Sequence, residues 1–462
     1  MTENKYDVVV EKDIMVAMRD GVRLATDVYF PALDGAKVEG RFPAVFHRTP
    51  YDKSDVERNG GYGRFFAQRG YVAVSQDCRG TYRSEGDVDF LVPEAEDGYD
   101  ALMWIDAQSW SDGKVGSWGT SWSGWTQTAM AALGPKNLAA MVPNMSGADA
   151  HESSVRHGGA LELRFLAWAF WHSAANTQAR LKANTTVDGA LNLGAPSFAD
   201  WLQRMPIRKG QTQLKLVPPY EKWAFDLMTQ ADYSEYWRHP SYAPALFWRE
   251  FPDVPILLVG GWYDSYTRAT CQNYVGLVAV KNGPVRMLMG PWTHGSNTVE
   301  LSFAGDVEFG EEAALESFRD VHLNHFDSAL KGSDSGAPET PPVRIFVMGG
   351  GGGRGRELTA SRAALSAGEL RTAKAMGANT QKKSNAASST PMRPNSAHAA
   401  TGSTPTQSSV KTSGSRSAQN APLKSGMAAL LGGDSPSAGP EPEHAQLRLP
   451  QLKGLAGEAS AP

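Results

Sequence analysis

The stretch from Gly116 to Gly134 constrains this chain more than any other. Lys114-Val115-Gly116-Ser117-Trp118 reads as the end of a short buried strand, and Trp125 to Leu133 as a helix closed by Gly134-Pro135. Between them, Gly119-Thr120-Ser121-Trp122-Ser123-Gly124 must turn the chain sharply. Such a corner strains the backbone at Ser121 and needs small neighbours, so that strand and helix can pack closely. It also sets the Ser121 hydroxyl at a helix N-terminus, where the dipole favours developing negative charge. A glycine- and serine-rich turn without chemistry has the same local pattern, so partners elsewhere must decide.

Strands and helices alternate on both sides of the corner. Two apolar runs around Asp20-Gly21, within residues 6–30, predict an antiparallel edge hairpin. Strands follow at 42–46, 71–77 and 139–143, with helices near 60–69 and 94–108. The rhythm breaks over 146–250, where Leu161 to Trp171, Trp201, Trp223, Tyr236 and Trp237 suggest an inserted helical cap with an aromatic core. It resumes with strands at 255–261 and 285–289, helices near 267–281 and 312–331, and a last strand at 343–348. This spacing predicts an α/β chain with a mostly parallel, doubly wound sheet covered on both faces. The expected layout is a core over 1–145 and 251–348, the cap over 146–250, and a tail over 349–462. That tail is rich in Ala, Ser, Gly, Thr and Pro with almost no aromatic residues, and it is expected to be disordered.

Thirteen tryptophans and a 41% hydrophobic content support a large core. A net charge of −4 gives no sign of a nucleic acid or anionic membrane partner. Cys78 and Cys271 form neither a disulfide framework nor a metal pattern, which fits a reducing cytoplasm. The polar start resembles no secretory signal, and no long apolar run spans a membrane. No cofactor is implied; an oligomer is left open.

A strand-to-helix corner with serine at its tip is the nucleophile elbow of the α/β-hydrolase fold. Serine needs a base, and the base an acid that fixes its tautomer. In that fold the order is Ser, then Asp or Glu, then His, each after a strand. Asp264 follows strand 255–261 and His294 follows strand 285–289, at the sheet edge where sites gather. Ser121 is therefore assigned as nucleophile, His294 as general base and acid, and Asp264 as the orienting carboxylate. Asp264 could instead be a helix N-cap and His294 an ordinary loop histidine, but their joint order argues against both. Ser117 and Ser123 lie off the corner. The Trp122 N–H is the expected oxyanion donor, with a second from the loop after strand 42–46, where Tyr51 carries a hydroxyl. A metal-dependent alternative would use His322, His325 and Asp327, without a strong metal signature.

Five ordered motifs between residues 6 and 348 resemble the X-Pro dipeptidyl-peptidase and cocaine-esterase family of serine hydrolases. They are Thr49-Pro50-Tyr51-Asp52-Lys53, Asp77-Cys78-Arg79-Gly80 with Ser84-Glu85-Gly86, Gly119 to Gly124, Gly261-Trp262-Tyr263-Asp264 and Gly290-Pro291-Trp292-Thr293-His294. The resemblance implies Tyr51 as a side-chain oxyanion donor. It also implies hydrolysis of an ester, amide or short peptide through an acyl-enzyme, and it supports the cap. The family carries a C-terminal β-sandwich, and the match stops at the glycine run Gly349 to Gly353. A frameshifted tail and an inactive or weakly active product form the second reading.

Overall fold

The computed structural model describes residues 5–55, 61–180, 205–333, 341–348 and 357–360. β1 (Asp7–Ala17) and β2 (Arg23–Leu33) form the expected antiparallel hairpin, with Gly21 at φ +86° in its turn, and β3 (Ala36–Lys37) folds back on β2. The alternation follows as β4 (Phe42–Thr49), α1 (Gly61–Ala67), β5 (Val72–Asp77), α2 (Glu94–Asp106), β6 (Ser111–Thr120), α3 (Trp122–Ala131) and β7 (Leu138–Asn144). The cap contributes α4 (Arg164–Arg180) and α5 (Pro218–Thr229), with a short ribbon pairing Arg156–His157 with Ala160–Leu161. Then come β8 (Ile256–Gly261), α6 (Thr267–Val280), β9 (Val285–Gly290), α7 (Phe318–Lys331), β10 (Val343–Phe346) and β11 (Glu357–Ala360).

The strands form one sheet in the order β1-β2-β5-β4-β6-β7-β8-β9-β10-β11, parallel from β5 through β10. Alternate side chains of these strands serve opposite faces. Val45, Ala73, Trp118, Val142 and Val259 point to one core with Phe66, Phe326 and the cap. Phe46, Val74, Val115, Met141 and Leu258 point to another with Leu102, Ile105, Met130 and Leu277. Apolar burial on both faces is what makes these strands read as near-continuous hydrophobic runs.

Several boundaries differ from the sequence reading, among them the strand expected over 42–46, which runs on to Thr49. The helix expected over 312–331 begins at Phe318, because Ser317 caps it by accepting the Asp320 N–H at 3.2 Å, while Glu311–Ala313 forms only a single tight turn. The strand expected over 343–348 ends at Phe346. Beyond Met348 the described residues are Glu357–Ala360, which pair antiparallel with β10. The rest of the expected tail, and residues 181–204 of the expected cap, lie outside the described residues.

Candidate active site

β4, β6, β8 and β9 end at the same edge of the sheet, and each candidate residue follows one of them. Tyr51 follows β4, Ser121 follows β6, Asp264 follows β8 and His294 follows β9. Ser121 has φ +64° and ψ −125°, a strained conformation for a residue with a side chain. Its N–H is held by the Asn144 carbonyl at 3.0 Å, and its carbonyl accepts the Trp125 N–H at 2.9 Å as the first turn of α3. The flanking glycines are required by contact. A Cβ on Gly119, at φ +150°, would lie 2.6 Å from Ser123, and one on Gly124 would lie 2.6 Å from the Asn144 carbonyl. Gln127 ties the corner to β7: its Nε2 donates to Val142 O at 3.0 Å, and its Oε1 accepts from Ser117 Oγ at 3.0 Å and from the Val142 N–H at 3.2 Å. The Ser117 hydroxyl is therefore occupied, and Ser123 is buried against Gly119.

His294 Nδ1 donates to Asp264 Oδ1 at 2.9 Å, which leaves Nε2 as the basic atom of the neutral ring. The Asp264 side chain is fully buried and that of His294 is 24% exposed. Burial opposes charge on Asp264, yet the imidazole, and then the Arg164 guanidinium, hold its pKa below the usual carboxylate range. Asp264 is not the cap of α6; Tyr266 occupies that position. The His294 loop is tied to the serine corner through the Gly295 N–H, which meets Met145 Sδ at 3.3 Å, one residue beyond the Asn144 carbonyl that holds Ser121.

The Tyr51 hydroxyl faces the Ser121 hydroxyl and the Trp168 indole, both of which favour its charged form. An indole N–H only donates, so toward Trp168 the phenol oxygen is the acceptor and keeps its own proton for Ser121 or for an oxyanion. Burial raises the Tyr51 pKa, against the pull of these two groups and of Arg164, so the phenol stays protonated. Trp122 is the first residue of α3, and its N–H has no acceptor within the helix. Among the described residues the triad's hydrogen bond is Asp264–His294, and none joins Ser121 to His294. Catalytic bonds of this kind commonly tighten only when substrate arrives.

The metal-binding alternative finds two of its three residues, His322 and Asp327, used otherwise. His322 Nδ1 donates to the Phe318 carbonyl at 2.7 Å, and Asp327 accepts from the Tyr71 hydroxyl at 2.6 Å and pairs with Lys331 at 3.0 Å. Among the described residues no group of three or more His, Cys, Asp or Glu side chains is placed to hold a metal ion.

Several supporting residues were not named from sequence. Glu94 Oε1 accepts from Trp122 Nε1 at 2.9 Å, and its Oε2 pairs with Arg48 at 2.8 Å, with both side chains 1% exposed. This places a buried ion pair beneath the residue after the serine. Trp168 and His172 of the cap reach the Tyr51 loop. The aromatic run on α4 was the available signal, but it did not say which rings face the site.

Residues 20–296 match the sequence profile of the X-Pro dipeptidyl-peptidase (S15 family). The chain is 33% identical over 362 residues to the cocaine esterase of Rhodococcus sp. (strain MB1 Bresler), covering 76% of this chain and 59% of that one. Among solved structures, it is similar to an alpha-amino acid ester hydrolase at 26% identity and a TM-score of 0.53, covering 78% of this chain and 60% of that one. An aminopeptidase from a marine sediment archaeon, Thaumarchaeota archaeon, shares the fold at 23% identity and a TM-score of 0.57, covering 77% of this chain and 59% of that one. The chain thus spans less than two thirds of the length of each of these relatives. A match over more than half of the chain, on a sheet with this strand order, makes the protein a member of the X-Pro dipeptidyl-peptidase family, S15.

Proposed function

We propose that this chain is a serine hydrolase that cleaves an ester or amide through an acyl-enzyme, as an esterase or a dipeptidyl-peptidase-like enzyme. The observation that carries the reading is Ser121, strained in its backbone and facing the Tyr51 phenol, at the same sheet edge as the 2.9 Å Asp264–His294 pair. Ser121 Oγ attacks the acyl carbon, and its proton passes to His294 Nε2. Asp264 stabilises the imidazolium so formed. The negative charge on the former carbonyl oxygen is met by the Tyr51 hydroxyl and the Trp122 N–H. Collapse expels the alcohol or amine, which takes the proton from His294, and water repeats the sequence to free Ser121.

The substrate class is a small ester, amide or short peptide, in keeping with the cocaine esterase, aminopeptidase and amino acid ester hydrolase to which the chain is similar. The cytoplasm fits two cysteines that are both free, Cys78 buried and Cys271 half-buried. Among the described residues no helix is long and apolar enough to cross a membrane. Labelling with a fluorophosphonate probe tests the reading. Label that disappears in Ser121→Ala supports it; a wild-type protein that takes no label favours the inactive product. A panel of p-nitrophenyl esters against Xaa-Pro anilides then separates esterase from peptidase.

A further inference from the structure

The cap carries a cation to the proposed site that the chemistry above does not use. Arg164 opens α4. Its Nε pairs with Glu162 Oε1 at 3.0 Å, and the other Glu162 oxygen lies 3.2 Å from His157 Nε2. The guanidinium carbon is 5.1 Å from the ring centre of Phe165 and 5.1 Å from that of Tyr266. The Tyr266 ring in turn lies 5.4 Å from that of His294. The charge is therefore held beside the catalytic imidazole by two aromatic faces. Its field reaches both halves of the site, favouring the charged form of Asp264 and opposing the upward shift of Tyr51.

One atom of this group is left over. Arg164 Nη2 is buried and has no hydrogen-bond partner among the described residues. A buried donor without an acceptor is destabilising, and more so on a charged group. Glu162 approaches the guanidinium at Nε, and Nη2 is the nitrogen left without an acceptor. The Nη edge of the fork matches a carboxylate in shape and charge. The Asp264 carboxylate uses Oδ1 on His294, and its buried Oδ2 makes no hydrogen bond to Arg164 or to any other group among the described residues.

We propose that Arg164 is a substrate-binding residue that receives a carboxylate carried by the substrate, so that the preferred esters bear a free acid group, as half-esters of short dicarboxylic acids do. This rests on the hydrolase reading above. The fork binds the acid while Ser121 attacks the ester carbonyl at the other end of the same acyl chain. Selectivity comes from charge complementarity, because a neutral ester leaves the Nη edge desolvated and unpaired.

The test compares mono-p-nitrophenyl glutarate with p-nitrophenyl valerate, which differ at the far end of the acyl chain. In Arg164→Gln the ratio of their kcat/KM values should fall about 30-fold, mainly through KM for the glutarate ester. Arg164→Lys should recover part of the loss, since it keeps the charge without the fork. A ratio within about threefold of wild type in Arg164→Gln overturns the proposal. A second measurement does not depend on turnover: calorimetric titration of glutarate into Ser121→Ala should give saturable binding that Ser121→Ala/Arg164→Gln lacks. Absence of binding to Ser121→Ala, or equal binding to both, overturns it as well. If neither ester is cleaved and Ser121 takes no fluorophosphonate, the hydrolase reading fails, and the titration still decides for or against Arg164.

Discussion

His172 Nε2 donates to the carbonyl of Pro50 at 2.7 Å, so the cap helix is bonded to the residue that precedes Tyr51. The opposite ring nitrogen meets the Tyr220 hydroxyl at 2.7 Å, and the ring stacks on Trp168 at 4.3 Å and 13°. Trp168 reaches the Tyr51 hydroxyl itself. The proposed oxyanion donor is thus held at its backbone and at its tip by one helix, and cap position becomes part of oxyanion geometry.

Coupling of this kind predicts non-additive kinetics. Tyr51→Phe removes one proposed oxyanion donor and should lower kcat by about 100- to 1,000-fold with little change in KM. His172→Leu should lower kcat by about tenfold or more, because small misplacements at a reacting centre are expensive. Adding His172→Leu to Tyr51→Phe should cost almost nothing further, since the group being positioned is gone. Steady-state kinetics on the two single variants and the double variant give the answer; independent, multiplying losses would mean that His172 acts elsewhere.

Asp264→Asn should keep the fold of the loop and lose the orienting charge. The imidazole is then free to adopt the wrong tautomer, and the imidazolium formed during attack loses its partner. A drop in kcat of about ten-thousandfold is expected. The same carboxylate contributes stability because its pKa is depressed on folding. That contribution is present above the unfolded pKa near 3.8 and is lost as pH falls through the lower folded value. A kcat within tenfold of wild type would remove Asp264 from the proposed machinery.

Glu94→Ala should destabilise the protein by about 3–5 kcal/mol, because it leaves the Arg48 charge buried without its closest partner. Asp97 lies 3.7 Å from Arg48 and is already paired with Arg79 at 2.6 Å, so it is poorly placed to substitute. Trp122 also loses its acceptor. Urea denaturation should show the midpoint falling at constant slope. A shift below about 1 kcal/mol would mean that water reaches Arg48 when the carboxylate is removed.

Local pattern carried the core and failed at contacts between distant segments. Each strand of the parallel sheet is an apolar run bounded by turn residues, so strand order along the chain was legible. So was the Ser121, Asp264, His294 order, because each residue directly follows one of those strands. The start of α7 was legible but passed over: Ser317 with Asp320 three residues on is a capping pattern. Glu94 stands at the N-terminus of α2, where an acidic residue ordinarily complements the helix dipole, and nothing local says that it is buried against Arg48. On α4, Trp168, Phe170, Trp171 and His172 are adjacent and similar, so periodicity does not choose which ring meets Tyr51. Arg164 reads as a solvated helix-start cation until its aromatic neighbours are seen.

Buried histidines give the last prediction. Burial pushes the pKa of His47 down to about 3 and those of His172, His322 and His325 to about 4. Their unfolded value is near 6.5, so between pH 6.5 and about 4 the unfolded chain binds protons that the folded chain refuses. Their stabilisation is complete above pH 6.5 and is lost as pH falls through that window, with a slope approaching about 1.4 kcal/mol per pH unit for each histidine. Asp77 works in the opposite direction. Burial raises its pKa to about 7, against the Lys53 N–H bond and charge, so between pH 3.8 and 7 it favours the folded state as pH falls. Burial raises Asp89, Glu94 and Asp149 in the same sense and lowers His239 with the four rings, and the histidines dominate from pH 7 to 5 because their unfolded value of 6.5 lies inside that range. The urea midpoint should therefore fall steeply from pH 7 to pH 5, and His47→Asn should flatten the dependence. A midpoint that is level or rising over that range would show that these four rings accept protons in the folded state.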